Sequence, residues 1–144
     1  PHKIETACGH MAGLNLLPVS TTMAPQKTLR QVKARHFPSN LEVSGYEIHH
    51  GRTSGDNLTV IIRTENEVSG VSTEDGHIWG TYLHGIFDAD PFRRWFIDRL
   101  RVRAGKSPAG RILTTYNLEQ AFDKIADAVR ESLNIDEIYR MMKI

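Results

Sequence analysis

Apolar and polar residues alternate, or gather in short apolar runs, over 13–24, 29–37, 42–49 and 58–63, and that period of two predicts β-strands. Between them lie "APQK", "FPSN" and "RTSGDN", clusters of turn formers that suit antiparallel neighbours. Further on, Asp75-Gly76 predicts a tight hairpin turn leading into a strand over 78–83, "IWGTYL".

The second half changes period. Phe92, Trp95, Phe96 and Leu100 recur on one helical face, with Asp90 expected as the cap, Pro91 at the first helical position and Gly105 as the stop. Its other face, with Arg93, Arg94, Arg101 and Arg103, reads as a solvated basic stripe. A second helix is predicted from Asn117, burying Leu118, Phe122, Ile125, Ala126, Val129 and Leu133 as a core stripe. Asn134 caps a last short helix with Ile135, Ile138 and Met142. "GKSPAGR" is expected to be the most flexible loop, and no repeat or linker interrupts what reads as one folding unit.

Composition sharpens this picture only in part. The 144 residues, 40% hydrophobic and 24% charged, suit one globular domain. With 18 Lys+Arg against 17 Asp+Glu there is no electrostatic footprint for nucleic acid or an acidic membrane surface, so neither is expected as a partner. A single cysteine excludes an internal disulfide, and no signal peptide or bilayer-length apolar run is visible; a cytoplasmic location is expected. The chain opens "PHKIETACGHMAGLNLLP", without Met or a clear first element, and reads as part of something longer.

Chemistry concentrates in two places. His84 ends an apolar strand and precedes a glycine, where a side chain projects from a sheet end into a crevice, a placement that suits a general base. In "GYEIHHGRT", residues 45–53, alternation puts Tyr46, Ile48 and His50 on one face and Glu47 and His49 on the other. That strand is either an edge with polar residues in solvent or a site whose Glu–His pair holds a charge. Among the seven histidines, His49, His50, His77 and His84 match no zinc spacing, and no metal is expected. Cys8 is the only thiol, but "PHKIETA" is a polar lead and Gly9 and Gly13 oppose a following helix, so a nucleophile elbow is not expected there.

"GLNLLP" (13–18), "GYEIHHGRT" (45–53) and "GTYLHGIFD" (80–88), followed by an aromatic and Arg-rich helix, together resemble the cobyric acid synthase family. The resemblance is to the second half of its carboxy-terminal glutamine amidotransferase domain and runs over essentially the whole chain. It implies an α/β fold of the class I amidotransferase, flavodoxin-like three-layer type, residues 1–144 supplying antiparallel strands and closing helices. By the same resemblance, His84 is the base that activates a cysteine on an elbow outside these residues; Tyr46, Glu47 and His49, from the residues of their strand alone, are candidate substrate contacts. The family takes ammonia from glutamine and amidates the b, d, e and g carboxylates of adenosylcobyrinic acid a,c-diamide. ATP and Mg²⁺ serve a separate amino-terminal synthetase domain, and no cofactor is expected in this chain. Most class I amidotransferases carry a glutamate two residues after the histidine; here that position is Ile86, leaving Glu47 or Asp88 to orient His84.

The partners implied are glutamine, a corrinoid acceptor and the synthetase domain. Without the elbow half the chain is expected to lack glutaminase activity and either to self-associate through uncovered apolar faces or to require its missing half. Two alternatives stay open: a non-catalytic corrinoid-binding or scaffold module, and a related amidotransferase with another acceptor, such as the a,c-diamide synthase or a cell-wall lipid precursor amidating enzyme.

Overall fold

The computed structural model describes Ile4 and residues 7–143. The polar lead to Cys8 lies largely outside the described residues. From residue 7 to the first strand the chain forms no regular element.

Five strands follow: β1 (Val19–His36), β2 (Leu41–Gly55), β3 (Thr59–Arg63), β4 (Val68–Ser72) and β5 (Trp79–Thr81). They form one sheet in the order β2-β1-β3-β4-β5, every pairing antiparallel. A 3₁₀ turn (Ile86–Asp88) leads into α1 (Asp90–Arg103), and α2 (Leu118–Ser132) and α3 (Ile135–Met142) close the chain. This mixed α/β arrangement of antiparallel strands followed by helices agrees with the expected class I amidotransferase portion. Just beyond β5, His84 forms a β-bridge with Tyr46 of β2, so the sheet curls and its two ends meet.

The expected single folding unit is instead two compact units, divided between Leu113 and Thr114. The first holds the core: Val32 and Ala34 from β1, Val43 from β2, Ile61 and Ile62 from β3, then Leu83, Ile86 and Phe92. Ile62 and Phe92 have no exposed surface. His36 is packed among them, its ring edge-on to Phe92 and Trp95 at 4.9 Å from each.

Several elements differ from the expected pattern for identifiable reasons. "APQK" is no turn: β1 runs through it, and its pairing with β2 shifts register between Met23 and Thr28. Pro25 removes a ladder donor, and β3 joins β1 only at Arg35 and His36, so this length of β1 has an open side where a bulge is tolerated. β2 likewise continues through "RTSG", the turn beginning at Asp56 with Asn57 in the left-handed region. The strand over 78–83 is regular only at Trp79–Thr81, and it pairs with β4 around Asp75-Gly76 as the hairpin predicts.

In α1, Asp90 is the first helical residue, not the cap; Ala89 takes the cap position and the Asp90 carboxylate accepts from Arg93 instead. Phe92 is buried and Trp95 and Phe96 half-buried, whereas Leu100 stays exposed. The arginine stripe is not simply solvated. Arg93 donates to the Phe87 carbonyl and Arg94 to Asp98, whose carboxylate also accepts the Ala109 and Gly110 amides. With Arg101 donating to the Ser107 carbonyl, "GKSPAGR" is pinned to α1 and not the loose loop expected.

The second unit contains two capped helices. Asn134 Oδ1 accepts from Glu137 N, the cap the sequence predicts, and Asn117 Oδ1 accepts from Gln120 N at the predicted helix start. The stripe expected as core is not buried: neither α2 nor α3 has a buried residue.

Candidate active site

Tyr46 and His84 meet where the sheet closes on itself. His84 N donates to the Tyr46 carbonyl at 2.8 Å and Tyr46 N to the His84 carbonyl at 3.1 Å. Gly45 permits the approach, since a Cβ there would lie 1.9 Å from the His84 carbonyl oxygen. After His84 the chain turns sharply: Gly85 sits at φ 76° and its carbonyl accepts from Asp88 N, closing the 3₁₀ turn. The bridge fixes the His84 backbone and leaves its side chain exposed, with the imidazole stacked on the Tyr46 ring at 5.0 Å and 10° between planes.

The opposite face of β2 carries a second cluster. Glu47, 3% exposed, accepts from Ser69 Oγ at 2.5 Å through Oε1, and from Arg30 Nε at 2.9 Å through Oε2. Arg30 also pairs with Glu67. His49 Nδ1 lies 2.8 Å from the Gly51 carbonyl, which only accepts, so that nitrogen carries the proton and Nε2 faces Glu47 Oε2 at 4.0 Å. The His49 ring stacks on Tyr82 at 3.8 Å, and the Tyr82 hydroxyl meets Thr53 Oγ1 at 2.5 Å.

The alternation in "GYEIHHGRT" thus divides the expected site residues. Tyr46 is brought to His84; Glu47 and His49 form a separate, largely closed network that clamps β1, β2 and β4. Glu47 has both oxygens occupied on the face away from Tyr46, and Asp88 lies over Gly85. Sequence reasoning missed Arg30, Ser69 and Tyr82. Parity along its segment would set Tyr82 beside His84, whereas its ring lies against His49, so no local pattern announced it.

Other groups have different surroundings. His50 Nδ1 donates to the Ala24 carbonyl and His77 pairs with Asp75, so these histidines do not converge on His84. Cys8 is exposed and flanked by no strand-turn-helix among the described residues. Burial, and secondarily the charge of Arg99, push the His36 imidazole down to about 4. An open groove of about 990 Å³ runs along α1, walled by Trp79, Trp95 and Phe96, and borders neither His84 nor Tyr46.

His84 thus presents an exposed imidazole, stacked on Tyr46, where the curled sheet closes. The chain belongs to the CobB/CobQ-like glutamine amidotransferase domain family, whose model matches residues 1–92. It is 45% identical to the adenosylcobalamin biosynthesis bifunctional protein CobDQ of Leptospira interrogans, over 99% of this chain and 17% of that protein. Similarity to cobyric acid synthases is also extensive: 38% identity with that of Nitratidesulfovibrio vulgaris and 37% with that of Bradyrhizobium diazoefficiens, each over 99% of this chain. The chain spans 32% and 29% of those two proteins, so it corresponds to under a third of each relative.

Proposed function

We propose that residues 1–144 are the carboxy-terminal portion of a glutamine amidotransferase domain that supplies ammonia for amide formation in cobalamin biosynthesis. The observation that carries this reading is His84, presented to solvent by the bridge to Tyr46 and the left-handed turn at Gly85. The reactive cysteine stands on a nucleophile elbow upstream of Pro1. Its thiol, with an ordinary pKa of about 8.5, is mostly protonated at neutral pH, and a neighbouring imidazole draws the pair toward thiolate and imidazolium. The S–H proton passes to His84, the thiolate attacks the glutamine amide carbon, and His84 returns the proton to the departing ammonia. A water deprotonated by the same imidazole then hydrolyses the thioester to glutamate.

The acceptor in this reading is the corrinoid adenosylcobyrinic acid a,c-diamide at its b, d, e and g carboxylates. An amino-terminal synthetase domain, using ATP and Mg²⁺, activates them in the cytoplasm. Among the described residues no helix is long and apolar enough to cross a membrane. The names of the relatives support the pathway.

Cys8 has no catalytic part here. Ammonia release from glutamine by the 144-residue chain, measured beside Cys8→Ser, is expected to be nil for both. Activity in the native chain that disappears in Cys8→Ser would overturn the assignment of the nucleophile.

A further inference from the structure

The exposed imidazole of His84 must be held in one plane to exchange protons productively, and an unconstrained surface side chain samples several rotamers. The usual device is a third group hydrogen-bonded to the ring. Around His84 the candidate carboxylates are otherwise placed. Glu47 is buried on the other face of β2 and holds Arg30 and Ser69, while Asp88 lies over Gly85. Against the imidazole lies the Tyr46 ring, nearly parallel to it.

We propose that Tyr46 is a positioning residue for His84: its ring face, stacked on the imidazole, fixes the plane in which the base meets its partner. This rests on the reading of His84 as the base of ammonia release. Three features of the backbone serve the stack. The reciprocal Tyr46–His84 bridge sets the two residues directly opposite one another. Cross-strand neighbours at such a bridge have Cβ atoms about 4.5–5.5 Å apart, which suits two facing rings. Gly45 lets the strands approach, and Gly85 turns the following chain away. Tyr46 itself is 48% exposed, so its ring is not spent on filling the core. An aromatic face is also electron-rich and suits a ring that carries a proton during the reaction.

The test is steady-state glutamine hydrolysis by the full-length enzyme carrying Tyr46→Leu, Tyr46→Phe or His84→Ala, with amidation supported by ammonium salts as the control. Tyr46→Leu keeps bulk and loses the ring; kcat is expected to fall at least about tenfold with KM within about twofold, since misplacement by an ångström costs up to about 100-fold. Tyr46→Phe restores most of the rate, because the face and not the hydroxyl acts. Should Tyr46→Leu fail to fold, Tyr46→Gln takes the same readings. A raised KM with kcat intact would make Tyr46 a substrate contact and overturn the proposal. So would a Phe variant as impaired as Leu, or a Leu variant with native rates. If His84→Ala itself hydrolyses glutamine normally, the reading of the base fails and the positioning role falls with it, an outcome separable from a Tyr46 result beside an inactive His84→Ala.

Discussion

The two units of the chain use apolar residues in opposite ways. Up to Leu113, strands and α1 enclose Ile62 and Phe92 completely and bury six further core residues around them. From Thr114 on, α2 and α3 are well capped and regularly striped, yet Phe122 is 56% exposed and Ile125 61%. Helical periodicity therefore specifies an amphipathic element without specifying what covers it. The first unit holds its site by long-range closure; the second shows local signals, caps and the i,i+3 ion pairs Asp127–Arg130 and Glu137–Arg140.

The largest contrast is expected from matched aromatic truncations. Phe92→Ala should cost about 3–5 kcal/mol, as for other fully enclosed aromatics. Phe122→Ala in the same 144-residue chain should cost no more than about 0.5 kcal/mol, as at exposed positions. Urea unfolding of both variants checks this, and equal losses would mean that the second unit has a core of its own.

Acid sharpens the comparison through His36, which only the first unit contains. Its folded-state value of about 4 lies below the ordinary 6.5, so the unfolded chain binds the extra proton first as pH falls. The contribution of the neutral ring is whole above pH 6.5 and is lost progressively as pH falls toward 4, amounting to about 3 kcal/mol. Denaturant midpoints between those pH values should slope less steeply in His36→Gln. A parallel slope would show that the imidazole is not held neutral by its surroundings.

The smallest effect belongs to the second unit. Asn134→Ala removes the side-chain acceptor for Glu137 N and should weaken α3 by about 1 kcal/mol, visible as faster amide exchange over α3 with β1–β5 unchanged.

The sequence made these two kinds of structure legible to different degrees. Local signals were read correctly where they act alone: Asn117 as a helix start, Asn134 as a cap, Asp75-Gly76 as a hairpin turn, Phe92 on the inner face of α1. Misreadings arose where a distant segment decides. Pro25 in "APQK" resembles a turn because the open side that tolerates it depends on where β3 stops. β4, "VSGVS", has too little apolar contrast to announce itself, although its Ser69 holds Glu47. Within the candidate site, the period of two separated Tyr46 from Glu47, but the pairing of Tyr46 with His84 spans 38 positions and is created by closure of the sheet. The clamp of Arg30, Glu47 and Ser69 is invisible for the same reason.

The central claim is that His84 serves ammonia release and nothing else. It is tested most directly by His84→Ala in the full-length enzyme, assayed for the proposed amidation of a corrinoid with glutamine and, separately, with ammonium salts. The account predicts at least about a 100-fold loss with glutamine, the scale of a missing general base, and native rates with ammonium. A variant equally inactive with both nitrogen sources, or fully active with glutamine, would contradict it.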